Sequence, residues 1–195
     1  MALFRLPSSG PAALMPRGHG LLLRAPQMSD FPQWAQLRES SRAYLTPWEP
    51  IWPSDDLTRS GFRRRLRRYS EDIQGDRSYP FIIFRETDGA MIGGVTLANV
   101  RRGVAQAGSI GYWIGAPFAR HGYMRAAVRA IAPYSFSVLR LHRLEAACIP
   151  TNRASIGLLE SCGFTREGYA REYLCINGSW QDHLLYARLK DDPQP

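Results

Sequence analysis

The residues most able to do chemistry cluster around residues 110–124. Ile110-Gly-Tyr-Trp-Ile114 reads as a strand, Gly115, Ala116 and Pro117 break it, and Arg120-His121-Gly122-Tyr123-Met124 leads into a helix pattern. A strand, a glycine-bearing turn and a helix in that order aim successive backbone N–H groups at one spot, with the positive end of the helix dipole behind them. Such a spot binds phosphate, although an ordinary βα connection with one glycine reads the same way. Asn152 and Ser155 are spaced three apart, about one helical turn, on a similar face of a later helix. Both residue types equally suit a helix start. His19, His121, His142 and His183 never pair at i,i+4 or beside a Cys-x-x-Cys, so the spacing supports no metal centre. Cys148, Cys162 and Cys175 are too few and too scattered for a disulfide framework or a zinc set, and read as buried thiols in a reducing compartment. Cys162, before Gly163 at a helix end, reads as packing, because no base stands beside it in sequence. No Gly-x-Ser-x-Gly elbow or Walker loop occurs.

The elements that must position these groups are legible from periodicity. The 195 residues are 45% apolar and 11% aromatic, which fits one α/β domain with a real core. No apolar run reaches the roughly 18 residues of a membrane-spanning helix. Leu21 to Arg24 reads as a strand, and a helix from Asp30, with Phe31, Trp34, Ala35 and Leu37 on one face, ends before Pro47. Pro47 and Pro50 make Tyr44 to Pro50 a fixed loop around Trp48 and Glu49. A helix between Asp55 and Gly75 places Phe62, Leu66, Tyr69 and Ile73 on one face and Arg63, Arg64, Arg65, Arg67 and Arg68 on the others. A hairpin of Phe81–Phe84 and Met91–Asn99 turns at Asp88-Gly89. The helix from about His121 buries Met124, Ala127, Val128 and Ile131, and Pro133 predicts a kink or early stop. His142 to Ile149 is a strand, Asn152 opens a helix ending at Cys162-Gly163, and two strands close the chain around Asn177-Gly178.

From Leu21 to about Lys190 the chain resembles the GNAT acetyltransferase superfamily, and within it the bacterial ribosomal-protein-alanine N-acetyltransferases. The segments that carry the resemblance are Leu45–Pro50, Ile110–Ile114, His121–Met124, Asn152–Ser155, Leu158–Phe164, Glu167–Tyr169 and Glu172–Leu174, in that order and spacing. The resemblance implies an α/β (α+β) fold: a single GNAT-like domain whose mixed central sheet, with flanking helices, splays after the fourth strand to admit the pantetheine arm of acetyl-CoA. Residues 1–20, broken by Pro7, Pro11 and Pro16 and without an acidic residue before Asp30, read as a flexible N-terminal tail or a mis-chosen start codon, with a weak organelle-transit composition as the alternative; 21–190 form the domain and 191–195 a C-terminal tail. The pyrophosphate is expected on the amides of Arg120, His121, Gly122, Tyr123 and Met124. The phosphate loop departs from the family pattern, with Ala119 at its first position and a bulky Met124 at its last, which predicts weaker cofactor affinity.

The resemblance also implies roles in direct attack of an amine on the thioester within a ternary complex. An N–H near Trp113 or Ile114 is the expected oxyanion donor. Glu172 is the expected base, with Glu49 second. Asn152 would hold the pantetheine arm, and Ser155 would place a hydroxyl or ordered water near the departing sulfur. At neutral pH roughly one in ten α-amines is uncharged, but fewer than about one in a thousand lysines. A modest carboxylate base therefore suits a protein N-terminus, and the resemblance implies a ribosomal one, with the Trp48–Glu49 loop and the Glu167–Tyr173 segment as opposite walls of the acceptor slot. A small-molecule amine is the alternative acceptor. A noncatalytic ribosome or RNA binder with a degenerate cofactor site is the other reading, motivated by the arginines at 63–68 and the formal charge of +8. No stacking-aromatic pattern accompanies those arginines, so a solvated helix face is the plainer reading and direct nucleic-acid binding is not favoured. The expected location is cytoplasmic.

Overall fold

The computed structural model describes residues 16–193. Eight strands form one mixed sheet in the order β1-β2-β3-β4-β5-β6-β8-β7. The strands are β1 (Arg17–Gly18), β2 (Leu21–Arg24), β3 (Tyr79–Arg85), β4 (Met91–Arg101), β5 (Ala107–Ile114), β6 (Arg143–Cys148), β7 (Thr165–Ile176) and β8 (Ser179–Leu189). Among the described residues the sheet begins at Arg17, which bridges Leu22. The tail reading for 1–15 and 194–195 falls outside the described residues.

The central strands are buried on both faces, and their alternation sorts the core into two layers. On β3, Tyr79, Phe81 and Ile83 face one layer, whereas Ile82 and Phe84 face the other. Helices α4 (Tyr123–Pro133) and α5 (Arg153–Ser161) cover the first layer through Met124, Ala127, Val128, Ile131 and Leu159. Helices α1 (Phe31–Ser40) and α3 (Arg59–Gln74) cover the second, where Trp34 meets Phe62 at 4.8 Å between ring centroids. A short α2 (Arg42–Leu45) follows α1.

Several local expectations needed correction. The helix drawn from Asp55 starts at Arg59, because Thr58 caps it by accepting the Gly61 N–H at 3.0 Å. Thr46–Trp48 is a 3-10 turn, which Pro47 tolerates at its start, so part of the Tyr44–Pro50 loop is regular. The α-helix stops at Pro133, as the proline predicts. The winding then widens into a π-helical turn at Tyr134–Val138, closed by the Leu139 N–H donating to the Tyr134 carbonyl at 3.1 Å. Cys148 and Cys162 are buried, and burial pushes both thiols up, but Cys175 is exposed because β7 is the sheet's outermost strand. At the β7–β8 turn, Asn177 and Gly178 both take positive φ, 46° and 82°, as the tight twist of a two-residue hairpin requires.

Among the described residues no helix is long and apolar enough to cross a membrane.

Candidate active site

The sheet opens where β5 meets β6. These strands pair in parallel only at Ala107–Arg143, Gly108–Leu144 and Ser109–Glu145; beyond Ser109 they diverge. The open stretch of β5 is the fourth strand of the sequence reading, counted fifth here because of the short β1. Gly93 and Gly94 on β4 let this stretch lie close: a Cβ on Gly94 would stand 2.6 Å from the Trp113 indole nitrogen, and one on Gly93 would stand 2.4 Å from the Trp113 carbonyl. The Gly115 N–H donates to Ile92 on β4 at 2.9 Å. Since backbone groups alternate along a strand, the Tyr112 and Ile114 N–H groups face the gap and that of Trp113 faces β4. Of the two N–H groups expected near the thioester, alternation therefore turns that of Ile114 toward the gap.

Side chains from both layers border the gap. On the α4/α5 side, the Tyr112 hydroxyl lies 2.5 Å from Ser155 Oγ. Burial holds the Tyr112 phenol well above the usual tyrosine range, so it keeps its proton. Ser155 also counters the upward push of burial on the Cys148 thiol. Asn152 caps α5, its side-chain oxygen accepting the Ser155 N–H at 3.1 Å, and thereby fixes where that serine sits. Tyr112 is a site residue that the sequence reading missed, although its place two residues from Ile110 and Ile114 marks the same strand face.

On the α1/α3 side, Glu49 is tightly held. Arg38 grips it with two hydrogen bonds of 2.7 and 2.6 Å, and the Trp52 indole N–H donates to Oε2 at 2.7 Å. The Arg38 guanidinium is itself stacked over Trp52 at 4.0 Å and Trp113 at 5.0 Å. Both Glu49 oxygens thus carry donors, which suits a clamp between α1 and the 46–53 loop better than a mobile base. That loop touches the β7–β8 turn, where Asn177 N–H donates to the Glu49 carbonyl at 2.9 Å. Glu172 is exposed at an irregularity of β7, with φ of 46°, and its N–H donates to Asp182 at 2.8 Å. Tyr169 hydrogen-bonds the other Asp182 oxygen, while Glu167 is ion-paired to Arg143. The expected second wall is therefore braced by Asp182 and Arg143.

The turn before α4 has the shape of an anion cradle. Arg120 and Gly122 take positive φ, 64° and 81°, and Gly122 is the N-cap with no side-chain cap over the helix's first amides. A Cβ on Gly122 would meet nothing within 4 Å, so the approach to these amides is open. Met124 is buried in the core, which removes the concern that its bulk obstructs the loop. His121 stacks on Tyr123 and contacts the Ala119 carbonyl at 2.7 Å, bracing the turn that lacks a longer side chain at 119. Arg85 also donates to Tyr123 Oη at 3.1 Å, but its charge is taken up by a two-point ion pair with Asp88, so it braces Tyr123 at the start of the helix. The open approach and the uncapped amides fit a phosphate-bearing cosubstrate. No cluster of three or more His, Cys, Asp or Glu that could hold a metal occurs among the described residues.

Comparison with known proteins gives this geometry a family. The Acetyltransferase (GNAT) domain profile matches residues 20–165. The chain is 35% identical over 180 residues to a probable N-acetyltransferase, YjcK, of Bacillus subtilis, covering 92% of this chain and 99% of the relative. The structure of a ribosomal-protein-S5-alanine acetyltransferase from Vibrio fischeri superposes with a TM-score of 0.85 at 32% identity, covering 93% of this chain and 100% of that one. Mycobacterium smegmatis RimJ, solved in complex with CoA-disulfide, superposes with a TM-score of 0.83 at 30% identity, covering 88% and 82%. With a sheet that parts beyond Ser109, an anion cradle at Gly122 and a match across most of its length, the chain belongs to the GNAT family of acetyl-CoA-dependent N-acetyltransferases.

Proposed function

We propose that this enzyme acetylates the N-terminal α-amine of a protein, with ribosomal proteins as the substrate class, by direct attack in a ternary complex. The observation that carries the reading is the parted β5–β6 gap, bordered by the Tyr112–Ser155 pair on one side and opening toward the 46–53 loop and the β7–β8 hairpin on the other. Similarity to the Vibrio fischeri enzyme supports the acceptor class. Acetyl-CoA supplies an activated thioester, whose C–S bond breaks as the acceptor nitrogen bonds to the carbonyl carbon.

The chain's own residues do the rest. The amides at Arg120 to Met124 hold the pyrophosphate, with Gly122 giving close approach, and Asn152 orients α5 and the pantetheine arm. The Ile114 N–H meets the carbonyl oxygen as negative charge develops on it. Tyr112, kept protonated by burial, relays a proton through Ser155 to the departing sulfur. Glu172 takes the proton lost by the amine, and Glu49, gripped by Arg38 and Trp52, shapes the slot. The exposed Trp48, Tyr169 and Tyr173 would wall an acceptor slot for a peptide end.

The test compares two short peptides at equal concentration, pH and salt: one with a free N-terminal alanine, the other blocked at its N-terminus and carrying an internal lysine. The first is acetylated and the second is not. Preferential acetylation of an aminoglycoside or a polyamine overturns the acceptor assignment while leaving the acetyl-CoA site intact.

A further inference from the structure

Helix α3 carries six arginines against two acidic residues, and the structure sorts them by partner. Arg64 and Arg65 are ion-paired to Asp55 and Asp56. Arg59, Arg63, Arg67 and Arg68 are exposed, and among the described residues no carboxylate pairs with them. Arg59 and Arg68 merely lie over the rings of Phe31 and Tyr69, at 5.9 and 6.0 Å. Arg59, Arg63 and Arg67 recur at i,i+4 and so form one row, each about 6 Å along the axis from the next, with Arg64 and Arg68 in a second row beside it. Like charges at that spacing repel and weaken a helix, so the array favours an anionic partner that spans several of them.

The chemistry of that partner follows from what the helix lacks. Its apolar face is already used: Phe62 is 1% exposed, and Leu66 packs with Trp34 and Leu37 of α1. No large apolar side chain is left on the outer face to enter a bilayer. Tyr69, its one aromatic besides Phe62, is half-buried, so the face has no open ring on which a single-stranded base could stack. Guanidinium forks at regular spacing, without apolar or aromatic anchors, match a phosphate backbone presented in fixed geometry, as in duplex RNA.

We propose that the outer face of α3 docks the enzyme on the phosphodiester backbone of structured RNA. This contact goes beyond acetyl transfer and holds whatever the acceptor is. It also bears on the active site, because Asp55 and Asp56 lie three and four residues past Trp52 and their ion pairs fasten this stretch to α3. An RNA-bearing particle held by Arg63, Arg67 and Arg68 therefore lies on the helix to which the acceptor loop is tied.

The test uses the full chain and a fluorescently labelled RNA hairpin, with binding followed by anisotropy from about 50 to 300 mM salt. The logarithm of the binding constant falls linearly with the logarithm of salt concentration. The triple variant Arg63→Gln/Arg67→Gln/Arg68→Gln loses about tenfold or more in affinity near 100 mM salt and about two to three units of salt slope. Its acetyl-CoA affinity and its activity on a free peptide stay within about twofold of the parent, which shows that it is folded. A matching Arg→Lys triple variant keeps the slope. Unchanged RNA affinity in the glutamine variant overturns the proposal. So does displacement of the RNA by polyglutamate or by phosphatidylglycerol vesicles at equal charge, outcomes that assign the face to an acidic protein or a membrane.

Discussion

Placing a carboxylate at Gly122 tests the cofactor cradle with little cost to folding. The residue has φ of 81°, where a Cβ costs about 1 kcal/mol but meets no neighbour. Aspartate tolerates that conformation, and as an N-cap it recovers about 0.3–1 kcal/mol from the helix dipole. Without ligand, Gly122→Asp therefore shifts the melting temperature by less than about 4 °C. Against a bound pyrophosphate the effect is large. Two like charges about 4 Å apart at an effective dielectric of about 20 repel by about 4 kcal/mol, and solvent at this exposed turn lowers that to about 2–4 kcal/mol. Acetyl-CoA affinity should fall about 30- to 1000-fold, measured by titration calorimetry. Gly122→Asn, with nearly the same shape and no charge, should lose no more than about tenfold. A dissociation constant within about twofold of the parent for the aspartate variant removes the turn from the site. An equal loss in the asparagine variant refutes the electrostatic reasoning.

The remaining predictions concern proton movement. Ser155→Ala and Tyr112→Phe should each lower turnover by about 100-fold, and the double variant should be no worse than either, because the pair acts as one relay; losses that multiply in steady-state kinetics separate the two residues. Burial raises the Tyr112 phenol, so its protonated form persists into alkali. Turnover should accordingly climb as the acceptor α-amine deprotonates through about pH 8 and hold to about pH 10; a fall beginning below about pH 9 that Tyr112→Phe abolishes would show the phenol titrating too low for this role. Glu172→Gln should lower turnover at pH 7, with acetyl-CoA affinity little changed and part of the activity returning at higher pH. An unchanged pH–rate profile transfers the proton to Glu49 or to bulk water.

Much of the scaffold was legible because its causes are local. Alternation in Phe81–Phe84 places residues on the two faces of a strand, and the three-and-four spacing of Met124, Ala127, Val128 and Ile131 gives α4 one buried face. The strand–turn–helix order around Gly122 was legible, since a turn that needs positive φ selects glycine. Local rules erred where a neighbour in space intervened. Cys175 looked like another buried thiol, but its strand has a neighbour on one side only.

The sequence by itself determined the elements, the glycine turn and the family resemblance, because each rests on residue types a few positions apart. Only the tertiary structure decided which groups meet. Ser155 finds Tyr112 across 43 residues because β5 and β6 part beyond Ser109 and α5 starts at the edge of that opening. Arg38 finds Glu49 across 11 residues because Trp52 and Trp113 sandwich its guanidinium. The same folding divides the arginines of α3 into two tied to the acceptor segment and a row left facing outward. Periodicity assigns a residue to a face, but contact across the sheet depends on strand order and divergence, which long-range packing sets.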